Sequence, residues 1–252
     1  MPLTICPKCA YQRLPTDRHI HEGVCPACGI AYQKFLDRQR AGVGEAPAPP
    51  IAEVDAVPSD HWKSRLLELP ARVDDVTFWG RALAWCGCAL WGAWFTLHGI
   101  DWEIIGGSFL HRVILPFHEF GHVLFMPFGR FMTILGGSLF QVAMPLGLMA
   151  AFILKQRDTF GASVMLWWSG QSLVDLSPYI SDAVDRNLPL VGGAGEEAHD
   201  WGNLLTMMHL LSHTQGLARL CFMLGVLTML AGLAWGARLL RMQYRQLKSQ
   251  EI

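Results

Sequence analysis

Charge is scarce over two thirds of this chain. Positions 77–240 carry only 18 charged side chains in 164 residues, whereas residues 1–76 carry 19, nine basic and ten acidic. The charge-poor part is mostly Leu, Ala, Gly, Met, Phe and Trp, which does not fit an ordinary cytosolic enzyme. Net charge is −1 and no long basic run occurs, so no nucleic-acid partner is expected. The residues from Met1 to Cys6 hold neither a basic n-region nor an apolar h-region; no secretory leader is read there, and the N-terminus is expected on the cytoplasmic side. Internal repeats are missing, and so is low complexity outside one linker. The seven cysteines are odd in number, which argues against a disulfide framework. What remains is a mainly α protein with a small soluble head on a polytopic membrane helical bundle. It reads as an integral protein of an inner or plasma membrane, with the lipid bilayer as its surroundings.

The head is residues 1–36. Cys6-Pro-Lys-Cys9 and Cys25-Pro-Ala-Cys28 are separated by fifteen residues, and two such turns bring four thiolates into a tetrahedron around one structural Zn²⁺. A module this short buries too little core to fold alone, so the metal supplies folding energy. The pattern resembles zinc ribbons over residues 6–28. A rubredoxin-type iron site or two redox dithiols are the alternatives, and His19 and His21 lie between the pairs as spare ligands. The ribbon is read as a docking or regulatory module for a cytoplasmic protein partner.

Residues 37–76 are a Pro/Ala-rich linker followed by an interfacial segment, with His61 to Arg72 expected as an amphipathic helix. The membrane domain is 77–240. Span-length apolar runs are Phe78–Leu97, Ile104–Phe128, Phe131–Leu154, Phe160–Ile180 and Leu217–Leu240. Asn203–Leu211 is too short to cross and reads as interfacial or re-entrant, giving five or six spans. Residues 241–252 are a basic tail, which favours the cytoplasm. Trp79, Trp102, Trp167, Trp168 and Trp201 read as an aromatic belt, and Cys86, Cys88 and Cys221 as buried small hydrophobes.

The chemistry lies in the second run. His118-Glu119-Phe120-Gly121-His122 is an H-E-x-x-H pattern, which on a helix sets both imidazoles on one face, able to share one Zn²⁺, with Glu119 as general base toward water. Three ionisable residues inside five positions of an apolar run are expensive to bury, and a metal would offset that cost. A catalytic zinc needs a third protein ligand. Asp175 and Asp182, on either side of the helix-breaking Pro178, are the leading candidates, with His199 and Asp200 as the second choice. His111 and Arg112 read as interface markers, or as support for the ligands. Gly136, Gly137 and Ser138 either present non-helical backbone to a substrate strand or allow close helix packing.

A membrane-embedded H-E-x-x-H, then an uncharged span with Gly-Gly, then a Pro…Asp segment resembles the site-2 protease family of intramembrane zinc metalloproteases, over about residues 104–183. The resemblance implies His118 and His122 as ligands, Glu119 as catalytic glutamate and Asp182 as third ligand. Asp175 stands where that family has Asn, Ala183 stands where it has Gly, and no PDZ domain is found. It further implies one catalytic and one structural Zn²⁺, a membrane-protein substrate, and hydrolysis of a peptide bond in or near a transmembrane helix. The competing expectation is a non-catalytic membrane adaptor or metal-binding membrane protein that uses the ribbon for docking. Oligomeric state is not given by the sequence.

Overall fold

A computed structural model describes residues 4–14, 17, 20–40, 65–191, 195 and 198–250. Among these the chain is mainly helical and has no strand, only two isolated bridges. It divides into two units, Met1–Ser59 and Asp60–Ile252.

In the first unit each Cys-Pro-x-Cys turn is closed by a bridge, Ile5 to Gln12 and Val24 to Ala31. The two knuckles repeat one geometry. The N–H of Cys6 donates to the carbonyl of Tyr11 at 2.9 Å, and that of Cys25 to Ile30 at 3.0 Å. The residue after each second cysteine has positive φ, Ala10 at 57° and Gly29 at 70°. The Arg13 guanidinium ties the knuckles together by donating to the carbonyls of Asp17, Ile20 and Val24. Helix α1 (Tyr32–Arg40) follows, running past the expected ribbon boundary at residue 36, and Tyr32 at its start is buried against Cys6 and Cys25. Those three are the buried apolar residues of this unit among those described. A core that is two-thirds sulfur does not hold a fold without a cross-link.

The second unit contains α2 (Asp75–His98), α3 (Trp102–Gly106), α4 (Phe109–Phe125), α5 (Arg130–Ala151), α6 (Thr159–Ser181), α7 (Asp200–Met207) and α8 (Thr214–Gln250). Side-chain caps fix most starts: Asp74 on Thr77, Asp101 on Glu103, Ser108 on Leu110, Asp158 on Gly161 and His199 on Gly202. The run expected as one span, Ile104–Phe128, is therefore two helices, since Gly106-Gly107-Ser108 ends α3 and caps α4. Helix α5 ends in a wider π turn, Phe152–Gln156.

Helix α6 is the buried centre, with α8, α5, α2 and α3 packed on it. Small residues let α6 and α8 meet at backbone distance: a Cβ on Gly170 would lie 2.6 Å from the Gly225 carbonyl oxygen, and one on Gly225 would lie 2.7 Å from that of Gly170. The polarity is inverted relative to a water-soluble bundle. Ser163, Ser169, Gln171, Ser172, Asp175 and Ser177 are buried on α6, while Leu83, Leu90 and Leu97 of α2 and Leu220, Met223, Leu227 and Leu230 of α8 are exposed. Among the described residues two helices are long and apolar enough to cross a membrane, Arg130–Gln156 and Leu211–Gln250.

Several expectations change. The basic tail is not a separate piece: α8 continues unbroken to Gln250, and Leu247 packs with Val73 and Phe78. Of the expected amphipathic segment, residues 61–64 lie outside the described residues. Arg65 and Leu66 are helical, a turn follows at Leu67, and beyond it the chain is irregular to Arg72; the carbonyls of Leu66, Glu68, Pro70 and Ala71 accept from Trp235, Thr159 and Gln246. Trp167 belongs to the core with Phe95, Ile105, Val174 and Met229 rather than to a belt, and Cys86 is exposed.

Candidate metal centres

Helix α4 brings the H-E-x-x-H pattern against α5. Gly121 and Gly136 make this approach possible, since a Cβ on Gly121 would lie 2.3 Å from the Gly136 carbonyl oxygen. Gly136, Gly137 and Ser138 are thus helical, buried packing positions, not a non-helical substrate platform. At Gly137 the close neighbours are the imidazoles themselves: a Cβ there would meet His122 Cε1 and Nε2 at 2.6 Å and His118 Nε2 at 2.7 Å.

Each imidazole is oriented from behind. Gln141 donates its amide N–H to the Ser172 carbonyl at 3.1 Å, which turns its Oε1 toward His118 Nδ1 at 2.7 Å. His122 Nδ1 donates to the Thr133 carbonyl at 2.8 Å. Both rings therefore carry a proton on Nδ1 and turn Nε2 forward, the orientation that metal-ligating histidines use. What they aim at is Asp200. Its Oδ2 lies 3.0 Å from His118 Nε2 and 3.3 Å from His122 Nε2. Ligand atoms of His118, His122 and Asp200 all lie within 4.8 Å of one another. With Nε2 unprotonated, two lone pairs and a carboxylate converge in a set that could hold a metal ion; without an ion the same atoms pair as imidazole N–H and carboxylate. The donor set of two imidazoles and one carboxylate fits a catalytic zinc site with an open position.

Asp200 is the first residue of α7. Tyr179 on α6 accepts a hydrogen bond from its backbone N–H at 2.9 Å, and Trp201 donates to Ser138 on α5 at 3.1 Å, which docks the helix start beside the histidines. Asp182, the third ligand that the resemblance implies, is occupied elsewhere. It accepts from the N–H groups of Asn187 (3.1 Å) and Leu188 (2.9 Å), and its Oδ2 sits 3.3 Å from His199 Nε2. Asp175 faces His111, whose Nδ1 is 3.1 Å from both carboxylate oxygens. His199 caps α7 rather than joining the cluster. Of the four candidates, geometry brings only Asp200 to the histidine pair.

Glu119 lines a cleft of about 540 Å³ together with the triad, and among the described residues it accepts no hydrogen bond. The walls are apolar: Ile114, Leu115, Ile134, Leu176 and the segment Leu188-Pro189-Leu190-Val191. His111, Asp175 and Trp102 line the same cleft, with Trp102 edge-on to the His111 ring at 5.2 Å. Gln141, Thr133 and Tyr179 escaped the sequence reading. Gln141 alone left a signal, a lone amide in an uncharged apolar run.

The head forms the second cluster. Sγ of Cys6 is 3.7 Å from that of Cys28, and Sγ of Cys9 is 3.6 Å from that of Cys25. Four sulfurs at about 2.3 Å from a tetrahedral ion stand about 3.8 Å apart, so this cluster could hold a metal ion as it stands. Burial pushes the Cys25 thiol up, but the N–H groups of Cys28 and Ala27 and the neighbouring sulfurs more than offset it and hold it at about 6. Cys9, despite a lowering N–H from Tyr11, is pushed up to about 12 by burial and the other three sulfurs. Four thiolates so close need a cation. His21 is turned to the Gly23 N–H at 3.1 Å, and His19 lies outside the described residues.

Among the described residues, fold and sites define helices with apolar outer faces, one N-terminal four-cysteine cluster and one histidine–aspartate cluster in which His118 is buried and His122 and Asp200 are half-buried. No family model, curated protein or solved structure matches this chain.

Proposed function

We propose that this chain is an intramembrane zinc metalloprotease of the site-2 type, hydrolysing peptide bonds in or beside transmembrane segments of membrane proteins, with a cytoplasmic zinc ribbon that recruits or regulates. One observation carries the reading: two Nδ1-anchored imidazoles and a carboxylate converge at the wall of an apolar cleft that also holds the unpaired carboxylate of Glu119. His118, His122 and Asp200 would hold the ion. Bound there, zinc supplies Lewis-acid polarisation of a carbonyl and makes a neighbouring water more acidic. Glu119 takes the proton of the attacking water as its oxygen bonds to the carbonyl carbon, then returns that proton to the amine as the C–N bond breaks. The apolar walls admit an unwound apolar segment and keep bulk water out.

The contacts also support an even topology. The start of α2, the α5–α6 connection and the end of α8 share one face, through Arg81–Asp158, Arg157–Glu68 and the packing of Phe78 on Leu247. Lys155, Arg157, Arg238, Arg241 and Arg245 gather on that face, which the positive-inside rule places in the cytoplasm. Instead of five or six spans, α2, α5, α6 and α8 then cross, while α4, 17 residues and about 25 Å long, dips in from the far side.

Zinc per chain in detergent-purified protein tests the reading. Wild type is expected to hold two zincs, with one lost when His118 and His122 are changed and the other when all four head cysteines are changed. Glu119→Gln should keep both zincs and cleave nothing. A single zinc, lost only with the cysteines, refutes the protease and favours the adaptor.

A further inference from the structure

Asp200 poses a problem of precision. It lies 82 residues from His118 and is the first residue of a short helix reached through the connection 183–199. A ligand so placed is only as fixed as the residue before it. That residue, His199, is fully buried, with 0% of its surface exposed. Its Nδ1 accepts the N–H of Gly202 at 3.0 Å, so the ring proton sits on Nε2, which lies 3.3 Å from Asp182 Oδ2, an ion-pair distance without hydrogen-bond alignment. Asp182 in turn is anchored at the end of α6 and gathers the N–H groups of Asn187 and Leu188. The Tyr179 ring packs on His199 at 4.4 Å between centroids. Thus the rigid end of α6 grips the residue next to the ligand from two sides, by Asp182 and by Tyr179.

From this arrangement we infer that Asp182 and His199 are positioning residues, which hold Asp200 on the histidine pair without touching the ion. The inference rests on the metal site of the proposed function, though not on its proteolysis. It reassigns the carboxylate that the sequence pattern offers as a ligand: Asp182 acts through His199, and Asp200 ligates. Partners of this kind, one contact removed from the metal, typically change affinity by about 10–100-fold when lost.

The test is zinc affinity of the full chain in detergent, by competition with a soluble zinc chelator, with the thermal midpoint of each variant as a folding control. Asp182→Ala is expected to weaken the second zinc about 10–100-fold. Asp182→Asn can keep the oxygen that faces Leu188 and His199 but turns an NH2 toward the Asn187 N–H, and should fall between wild type and Asp182→Ala. His199→Asn keeps the cap on Gly202 but cannot reach Asp182, and should match Asp182→Ala. The double variant Asp182→Ala/His199→Asn should be no worse than either single change, because both break one link. Asp200→Asn should abolish the second zinc. Wild-type affinity in Asp182→Ala and His199→Asn, or additive losses in the double variant, overturns the inference. So does Asp182→Asn failing as badly as Asp182→Ala while Asp200→Asn keeps its metal, which would make Asp182 the ligand. If Asp182→Ala does not fold, Asp182→Asn and His199→Asn decide. A wild type holding one zinc, lost only with the cysteines, refutes the metal site itself.

Discussion

Gly137→Ala is the sharpest probe of the histidine pair, because it adds one methyl group where the two imidazoles lie. The new carbon would stand 2.6 Å from His122 Cε1 and Nε2 and 2.7 Å from His118 Nε2, and ordinary contact begins at 3.4 Å, so a shift of about 0.8 Å is needed. The rings cannot simply retreat. Gln141 and Thr133 hold their far nitrogens at 2.7 and 2.8 Å, and Gly137 is itself buried on α5. Overpacking of this kind costs about 1–3 kcal/mol. Metal–ligand distances in a well-formed site stay within about 0.2 Å of their usual values, so a shift of the rings falls on zinc binding, at about 5- to 150-fold in affinity. Gly147→Ala, on the same helix with nothing within 4 Å, is the control and should be neutral or stabilise by about 0.5–1 kcal/mol. Zinc affinity and the unfolding midpoint, measured in one detergent for both variants, separate the two effects. A Gly137→Ala protein that holds two zincs with wild-type affinity would refute the placement of the imidazoles.

Glu119→Gln should keep both zincs while cleavage of a transmembrane substrate falls by at least the 10²–10⁴-fold that general acid–base groups supply; retained cleavage excludes Glu119 as the base. In the head, Ala10 occupies the left-handed conformation that Gly29 occupies in the second knuckle, so Ala10→Gly should stabilise the loaded head by about 1 kcal/mol and Gly29→Ala should destabilise it similarly, read from resistance to a chelator. Asp175→Ala strips the partner from His111 and should cost about 3–5 kcal/mol, the usual result of breaking a buried pair, measured by unfolding in detergent. Single cysteines placed at Arg157 and Arg130 in a chain otherwise free of thiols outside the head should react with an impermeant reagent from opposite sides of a vesicle; labelling from one side only would sink the even topology.

The helices and the ligand pair were readable because both are local. A run of apolar residues announces a helix by its own length, and His118 and His122 share a face because four residues make about one turn. Boundaries were readable only where a breaker was weighed. Asp101 and Ser108 are cap residues on either side of Gly106-Gly107, yet hydropathy smooths across them and joins α3 to α4. At the other end α8 has no breaker after Leu240, and its Leu240/Leu247 face keeps the helix going through a stretch that charge alone marks as a tail.

The third ligand is a different kind of problem. Asp175, Asp182 and Asp200 are one side chain in three places, and each has a basic or N–H partner in the fold: His111 for the first, His199 with two backbone N–H groups for the second, the histidine pair for the third. Proximity in sequence to a helix break favours Asp175 and Asp182, and the family pattern favours Asp182. What decides among them is which imidazole each one meets, and that is set by the packing of α7 on Ser138 and Tyr179, contacts that span 63 and 21 residues. A buried carboxylate in an apolar domain is costly to leave unpaired, so Asp175, Asp182 and Asp200 are matched as a set with His111, His199, His118 and His122, whereas the exposed Glu119 faces the cleft. Once His199 is seen to cap α7 and to reach back to Asp182, and His111 to hold Asp175, Asp200 is the acid left for the two imidazoles that α4 presents together.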